Sequence, residues 1–338
     1  MERTTRRHLE RVGIALTGAF AVVMMVFLAL EWLQEYPYAG TLYDQYTVAG
    51  MWLDYYLGTS VFGYSFMLRS IATGVLVGIA APLVGTYLVH REMALIGETL
   101  AHTAFAGVAI GLLFSATTDW DGSLLASALV VAVIGALLVQ FLSERTNTYG
   151  DVPIAIMLTG SFAVGTLIIS YGRGGFSGVS IEDYLFGSAA VIPAEGARLV
   201  AILTIAVVGV VALTYKQLLF ITFDEQAARV ARLNVTWYNT LLIVMTAVVV
   251  VGAMQIMGVI LVAAMLVIPV AAASQVAHGF RETLSLSILF GQLSVLGGFG
   301  FAISQGLPPG GSIVVVAIAI YGLAILASSR AGSAISMH

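Results

Sequence analysis

The chain has 338 residues, of which 59% are hydrophobic and only 9% charged. Because soluble globular domains carry about 25% charged residues, this composition excludes a soluble domain, and its apolar content excludes intrinsic disorder. The absence of cysteine excludes disulfides and thiolate metal sites, and a net charge of −4 excludes the basic surface typical of nucleic-acid binding. A protein embedded in a lipid bilayer is the class that remains.

Ten apolar stretches are long enough to cross a bilayer as helices, which takes roughly 20 residues each. The eighth stretch, 258–276, contains Pro269 and several small residues, so it is either a crossing or a broken or re-entrant helix. The sequence therefore predicts an all-α, polytopic bundle of nine to ten transmembrane helices. The ten stretches are 12–33, 66–89, 93–115, 123–142, 152–170, 197–215, 237–254, 258–276, 283–304 and 311–327.

The positive charges orient this bundle. If the N-terminus is cytoplasmic and every stretch crosses, 11 of the 14 Lys and Arg residues lie inside, and only Arg69, Arg173 and Arg198 lie outside. The positive-inside rule therefore predicts that both termini are cytoplasmic. The residues on the inner side are Arg3, Arg6, Arg7, Arg11, Arg91, Arg145, Lys216, Arg229, Arg232, Arg281 and Arg330.

Residues 1–65 are predicted to be an addition to a main bundle at 66–330, which a short tail at 331–338 follows. The basic residues before the first apolar stretch are compatible with a cleaved signal peptide or a retained helix. A retained helix is favoured, because the stretch exceeds the usual apolar core of a signal peptide and no A-x-A site follows. Residues 34–65 are rich in Tyr and Trp, which predicts an interfacial helix or loop.

The most informative polar residues lie in the third apolar stretch, where Glu98 and His102 are four residues apart and share one helix face. Counted from Met93, they lie about 7 and about 13 Å into the membrane, which puts His102 near the midplane. An intramembrane acid costs on the order of 2.5–3.5 kcal/mol, so such residues face a bundle interior or a water-filled cavity. A carboxylate and an imidazole on one face are suitable ligands for Zn²⁺ or Mn²⁺.

Two side chains do not complete a metal site, so further ligands or waters are needed. Met157, Thr159, Met254 and Gln255 are candidates by residue type alone. The alternative interpretation is a hydrogen-bonded Glu–His pair that joins helices and binds no metal.

The chain lacks the motifs of several enzyme classes. No glycine-rich loop ends in Gly-Lys-Ser/Thr around the single lysine, Lys216, so there is no P-loop for nucleotide phosphates. The G-x-S-x-G and H-E-x-x-H patterns of common hydrolases are also missing. We therefore expect a protein that is not an enzyme and holds no permanently bound cofactor.

Four motifs follow one another along the chain. The first is Arg91-x-Met93 with Gly97-Glu98-x-x-x-His102, and the second is Tyr184-Leu185-Phe186-Gly187. The third is the run from Leu218 to Ala228 that contains Phe223-Asp224, and the fourth is the run from Ala253 to Ala273 that contains Ile268-Pro269. Together, over about 66–330, they resemble the zinc/manganese/iron ABC transporter permeases, whose first motif is R-x-M-x-x-x-G-D-x-x-x-H.

The resemblance implies the architecture of a metal ABC permease and the import of a divalent transition metal. It also implies a prokaryotic plasma (inner) membrane and two partners, a cytoplasmic ATPase subunit and an extracytoplasmic metal-binding protein. Glu98 stands where the family usually has Asp, which keeps the charge and lengthens the side chain by one methylene. Residues 157–160 lack the histidine of many zinc members, and Gln255 replaces their frequent lysine, so manganese is favoured. Zinc and iron stay open, since imidazole and carboxylate suit all three metals.

The longest predicted inner loop, 216–236, contains Asp224, Glu225, Arg229 and Arg232. Asp224 can cap a helix, and 224–233 would form about three turns. By itself this loop is compatible with a solvated helix at the membrane surface. The family resemblance implies instead a coupling helix that docks in the ATPase, with 143–151 as a second contact. Because two ATPase subunits need two docking surfaces and the chain has one such loop, we expect a homodimer.

Two other functions are compatible with the sequence. A permease for a metal chelate or cofactor would use a wide apolar cavity and would leave Glu98 and His102 with a structural role. A stand-alone channel, receptor or intramembrane enzyme would need no ATPase partner.

Overall fold

The computed structural model describes residues 2–59, 61–118, 122–145, 152–172, 184–185, 187 and 192–335. Regular structure within these ranges is helical, as the composition predicts. The helices are α1 Glu2–Trp32, α2 Pro37–Leu57, α3 Ser65–His90, α4 Leu95–Thr117, α5 Leu124–Arg145, α6 Val152–Tyr171, α7 Ala194–Phe223, α8 Glu225–Val230, α9 Val235–Met257, α10 Val262–Val276, α11 Phe280–Gln305 and α12 Pro309–Ile335.

Nine helices in the described part of the chain are long and apolar enough to cross a membrane, namely all of those above except α2, α8 and α10. The helix α10, within the stretch 258–276, has 15 residues. It is therefore about 22 Å long, which is less than the roughly 30 Å of a bilayer core. The predicted all-α membrane bundle is confirmed. The eighth stretch, whose crossing was left open, forms α10, the one short apolar helix in the described part of the chain.

The helix α3 lies at the centre of the bundle and packs against α1, α7, α9, α10 and α11. Small residues on α3 allow close approach of its neighbours. A Cβ atom at Gly74 would lie 2.7 Å from the ring of Phe299 on α11, and one at Gly85 would lie 2.0 Å from the carbonyl oxygen of Leu266 on α10. The core of the main bundle is thus built around a helix with almost no outward face.

The additional helix α1 is attached to this core by a buried ion pair. Glu31, near the end of α1, accepts hydrogen bonds from Nε of Arg69 at 3.1 and 3.2 Å and also pairs with Nη2. Nη1 of Arg69 donates to the carbonyl oxygen of Ile192 at 3.1 Å. The end of α1 therefore lies beside the beginning of α3 and the chain that leads into α7.

Both ends of α2 lie at this same end of the bundle. Asp54, in the last turn of α2, accepts hydrogen bonds from the backbone N–H groups of Val61, Phe62 and Gly63 at 2.9, 3.0 and 2.6 Å. The segment 34–65 thus contains the helix α2, which does not cross the bundle, and the interfacial position of α2 stays a prediction. The exposed rings of α2 suit such a position; they are Tyr38, Trp52, Tyr55 and Tyr56.

One predicted boundary is wrong. The helix α7 runs to Phe223 and has 30 residues, so 216–223 is helical where a loop was expected. The reason is that the apolar face of α7 that packs on the bundle continues through this segment, with Leu218 and Ile221 buried. The three-turn helix expected at 224–233 is also wrong, because α8 has only six residues and Arg232 follows it in the left-handed region at φ 60°.

Two of the sequence motifs meet at the junction between α9 and α10. The backbone N–H of Val259 donates to the carbonyl oxygen of Tyr184 at 2.9 Å, and that of Ile260 donates to Leu185 at 3.3 Å. Gly258 has φ 77°, and a Cβ there would lie 2.3 Å from the carbonyl oxygen of Leu185. Only glycine fits this turn without strain, because the left-handed backbone and the close neighbour both exclude a side chain.

Candidate functional site

Glu98 and His102 lie on one face of α4, as predicted, but closer to its beginning than the sequence suggested. Because α4 begins at Leu95, Glu98 lies about 5 Å and His102 about 11 Å along a helix of about 35 Å. His102 is therefore about a third of the way along the helix rather than at its middle. Glu98 is in the first turn, where the helix dipole stabilises a negative charge.

The imidazole of His102 faces α6. Its ring contacts the ring of Phe162 edge to face, with 4.9 Å between the centroids. The two helices are also joined by Thr99, whose hydroxyl donates to the carbonyl oxygen of Ile154 at 3.3 Å. His102 is half-buried, and its Nδ1 atom is buried without a hydrogen-bond partner. Glu98 is exposed in the single chain and close enough to act electrostatically on the imidazole.

Glu98 and His102 are therefore two side chains that can coordinate a metal ion in this arrangement. Buried polar nitrogens are normally paired, so an unpartnered imidazole nitrogen is available for a ligand. A divalent cation requires a neutral imidazole and an ionised carboxylate, and its binding would release protons. No hydrogen bond between the two side chains occurs among the described contacts, so the alternative of a simple Glu–His pair has no direct support.

The other candidate ligands lie in different environments. Met254 is fully buried in the hydrophobic core, and Met157 is partly buried against it. Thr159 is exposed, and its hydroxyl donates to the carbonyl oxygen of Ala155 at 2.9 Å. The side chain of Gln255 lies outside the described part. Among the described residues, no group of three or more His, Asp or Glu side chains comes together.

A second feature is a polar cleft of about 450 Å³ beside α8. It lies at the predicted cytoplasmic end, where α3 meets α4 and where α7 and α9 meet α8. Two of its lining residues lie next to Glu98 along the chain: Met93 just before α4, and Ile96 in the first turn of α4. The rest of its lining is Arg91, Gln140, Ser143, Ile154, Ile221, Thr222, Glu225, Arg229, Asn239 and Ile243.

The four residues predicted to contact an ATPase have distinct roles in the structure. Asp224 caps α8, as predicted, by accepting a hydrogen bond from the backbone N–H of Ala227 at 2.8 Å. Glu225 pairs with Arg229 one turn later, with Nη2 and Oε1 2.7 Å apart. Arg229 and Arg232 are exposed, and so are the apolar side chains Phe223 and Val230. Of the second contact predicted at 143–151, residues 146–151 lie outside the described part.

The sequence patterns did not identify Arg91 and Asn239 as parts of this region. Nη2 of Arg91 donates to Oδ1 of Asn239 at 2.8 Å and lies 3.6 Å from Oε2 of Glu225. Burial lowers the pKa of the Arg91 guanidinium, the Glu225 carboxylate partly offsets this, and the group stays charged. Arg91 belongs to the first motif, so its presence there was a signal, but the motif does not reveal its partners.

Comparisons with known proteins agree with the motifs. The model of the ABC 3 transport family matches residues 63–328. The manganese transport system membrane protein MntC of Halalkalibacterium halodurans is 30% identical over 269 residues, which cover 80% of this chain and 89% of that protein. The probable metal transport system membrane protein of Treponema pallidum is 31% identical over 271 residues, 80% of this chain and 98% of that protein.

A solved structure also resembles this fold. It is that of PsaBC from Streptococcus pneumoniae in complex with Fab, with a TM-score of 0.68 and 26% identity over 77% of this chain and 91% of that one. The family match begins just before α3, so α1 and α2 precede the matched region. Since the family model matches well over half of the chain and the motif resemblance points the same way, the chain belongs to the ABC 3 transport family.

Proposed function

We propose that this chain is the membrane permease subunit of an ATP-driven importer for a divalent transition metal ion, with manganese as the preferred cargo and zinc or iron as alternatives. The observation that carries the proposal is the unpartnered Nδ1 atom of His102, one helical turn from Glu98 in a membrane helix of an ABC 3 protein. A binding protein delivers the ion on the outer side. The ion then passes a transient site built on these two side chains.

Manganese is preferred for two reasons. The curated relative from Halalkalibacterium halodurans is a manganese transport protein, at 30% identity. In addition, residues 157–160 contain Thr159 rather than a histidine. A site with carboxylate and imidazole ligands, and no thiolate in the chain, suits manganese as well as zinc.

Uptake measurements test the site. In cells that hold the permease with its ATPase and binding protein, Glu98→Ala and His102→Ala are expected to lower manganese uptake by about tenfold or more, because each removes one of few ligands. Glu35→Ala and His278→Ala are matched controls on exposed residues outside the membrane helices and should transport normally. Normal uptake by both site variants at normal membrane abundance would refute the ligand assignment.

We also propose that two copies of the chain form the membrane core and cover the exposed face of α4 and α6. Glu98 is exposed in the single chain, and a carboxylate that faces lipid is costly, so a second copy that covers it is favourable. Burial of α6 is the least among the membrane-crossing helices in the described part. Its exposed residues include polar and small ones, which favour helix contact over lipid contact; they are Thr159, Gly160, Thr166 and Ser170.

The absence of cysteine makes this surface easy to test. A cysteine at Gly160, where a Cβ meets nothing within 4 Å, is expected to cross-link two copies. Leu323→Cys on α12, an exposed position at 66%, is the control and should remain monomeric on a denaturing gel. Equal cross-linking at both positions, or none at Gly160, would contradict the proposed dimer face.

The cytoplasmic ATPase is proposed to dock on α8 and the turn that follows it, with Arg229, Val230 and Arg232 as the exposed contacts. Movement of α8 on ATP binding would then change the access to the metal site from one side of the membrane to the other.

We propose that both termini lie in the cytoplasm of a prokaryotic cell and that the protein lies in its plasma membrane. Although α10 is short, it returns the chain to the proposed cytoplasmic end, because Phe280 at the start of α11 contacts Tyr87 of α3 and Phe223 of α7. This orientation agrees with the positive-inside distribution of arginine.

A further inference from the structure

Arg91 connects the proposed docking helix to the helix that carries Glu98 and His102. Its Nη2 atom donates to Asn239 on α9 at 2.8 Å and lies 3.6 Å from the Glu225 carboxylate on α8. The Arg91 side chain is only 9% exposed, whereas that of Glu225 is 41% exposed. A cation this buried depends on its partners, because an unpaired buried charge is costly.

The Glu225 carboxylate is shared between two arginines. Its Oε1 atom lies 2.7 Å from Nη2 of Arg229, which is 59% exposed, and its Oε2 atom faces the buried Arg91. One carboxylate oxygen of Glu225 therefore pairs with a solvent-exposed arginine on α8, and the other faces the buried Arg91 inside the bundle. A shift of α8 changes the distance between Glu225 and Arg91 directly.

The connection from Arg91 to α4 is short and internally hydrogen-bonded. The N–H of Glu92 donates to the carbonyl oxygen of Val89 at 3.1 Å, and that of Met93 donates to Leu88 at 2.9 Å. Glu92 adopts φ 58°, so this is a helix-ending motif with a non-glycine residue in the left-handed region. Such a backbone has little freedom, and α4 begins only two residues after Met93.

We propose that Arg91 is the positioning residue that transmits movement of α8 to α4, through its ion pair with Glu225. This inference rests on the proposed function, in which an ATPase moves α8. It assigns Arg91 no contact with the metal ion. Its removal should uncouple ATP hydrolysis from the change at α4, while the ATPase stays attached through the exposed residues of α8.

The main experiment measures cysteine labelling on α4 and needs no metal, and a transport measurement accompanies it. Leu95→Cys puts the only cysteine of the permease on the first residue of α4, where the native side chain is 45% exposed. In the purified complex with its ATPase, the labelling rate of this cysteine by a maleimide is measured with and without ATP. The companion variants are Arg91→Gln, Glu225→Gln, the two combined, and Arg281→Gln as a control for loss of one exposed charge at the same end of the bundle.

We expect ATP to change the labelling rate several-fold with Arg91 present, and the change to disappear in Arg91→Gln while ATP hydrolysis and ATPase copurification persist. Manganese transported per ATP should fall by about tenfold in the same variant, within the usual range of coupling between sites. The combined variant should behave like Arg91→Gln alone, because both changes break one link. Arg281→Gln should retain the response to ATP.

Three results would overturn the inference. They are an unchanged ATP response in Arg91→Gln, effects of Arg91→Gln and Glu225→Gln that multiply, and a loss of transport only in proportion to lost ATPase. Failure of the proposed function has a different signature. In that case the native complex moves no metal, whereas the labelling comparison still reports whether Arg91 links α8 to α4.

Discussion

The contrast between two glycines on either side of Leu266 provides a quantitative test of the packing. In Gly85→Ala, the new methyl group would lie 2.0 Å from the carbonyl oxygen of Leu266, 2.8 Å from its carbonyl carbon and 3.1 Å from its Cα. Ordinary contact is about 3.5 Å, so α3 and α10 would have to separate by about 1.5 Å. The obstacle is backbone, and no side-chain rotation relieves it.

In Gly97→Ala, by contrast, the nearest atom is Cδ1 of the Leu266 side chain at 2.6 Å, and the next two lie at 3.9 Å. A rotamer change of Leu266 moves the obstructing methyl away. Overpacking costs about 1–3 kcal/mol, and replacing glycine by alanine inside a helix returns about 1 kcal/mol. The backbone clash in Gly85→Ala corresponds to the top of the overpacking range, so we expect this variant to lower the free energy of unfolding by about 2 kcal/mol. Gly97→Ala should change it by less than about 1 kcal/mol.

The assay is reversible unfolding of the purified permease by SDS in mixed micelles, with both variants measured beside the unmodified chain. The difference between the two variants matters more than either value, since both carry the same substitution. Equal stability of the two variants, or a larger loss in Gly97→Ala, would show that α10 does not pack on α3 through the backbone of Leu266.

Two further predictions concern the N-terminal addition. Glu31→Gln leaves the Arg69 side chain, which is 18% exposed, without its counter-ion, so the free energy of unfolding in the same assay should fall by about 3 kcal/mol. Replacing both partners, in Glu31→Leu with Arg69→Met, should restore most of this stability. A double variant as unstable as the single one would argue against this account. For Asp54, desolvation raises the pKa, but hydrogen bonds from Phe62, Val61, Thr59 and Gly63 outweigh it and lower the pKa to about 2. Because the folded-state pKa is depressed, its contribution is present above the unfolded value of about 4 and is lost as the pH falls toward 2. Because the Asp54 carboxylate accepts the backbone N–H groups of residues 61–63, hydrogen exchange there should be slow at neutral pH and fast in Asp54→Asn. Equal exchange in both proteins would contradict this role of Asp54.

Periodicity and composition were sufficient to predict most of the fold. Long apolar runs can satisfy their backbone groups in a membrane only as helices, so the crossing segments follow from the residues alone. The same reasoning placed Glu98 and His102 on one helix face and Asp224 at a helix start, since both depend on spacing of a few residues. It failed at 216–223, where an apolar face that packs on the bundle continues the helix beyond the predicted stretch 197–215.

Contacts between distant segments could not be predicted in this way. Nothing in the sequence indicated that Glu31 pairs with Arg69, that Glu225 faces Arg91, or that Tyr184 bonds to Val259. Each of these pairs is separated by tens of residues or more, and which residues meet depends on how the helices are arranged around α3. Arg91 shows this most clearly, because its motif was visible but its role between α8 and α4 was not.

The sequence by itself determined that the chain is a membrane protein, where its long apolar helices lie, and which acid and imidazole share a helix face, because these properties depend on hydrophobicity and on the local period of a helix. Only the tertiary structure decided which ion pairs hold the elements together, that Glu98 stays exposed while an imidazole nitrogen of His102 is buried without a partner, and that a six-residue helix contacts Arg91. These features arise from packing, which brings together side chains that are far apart along the chain.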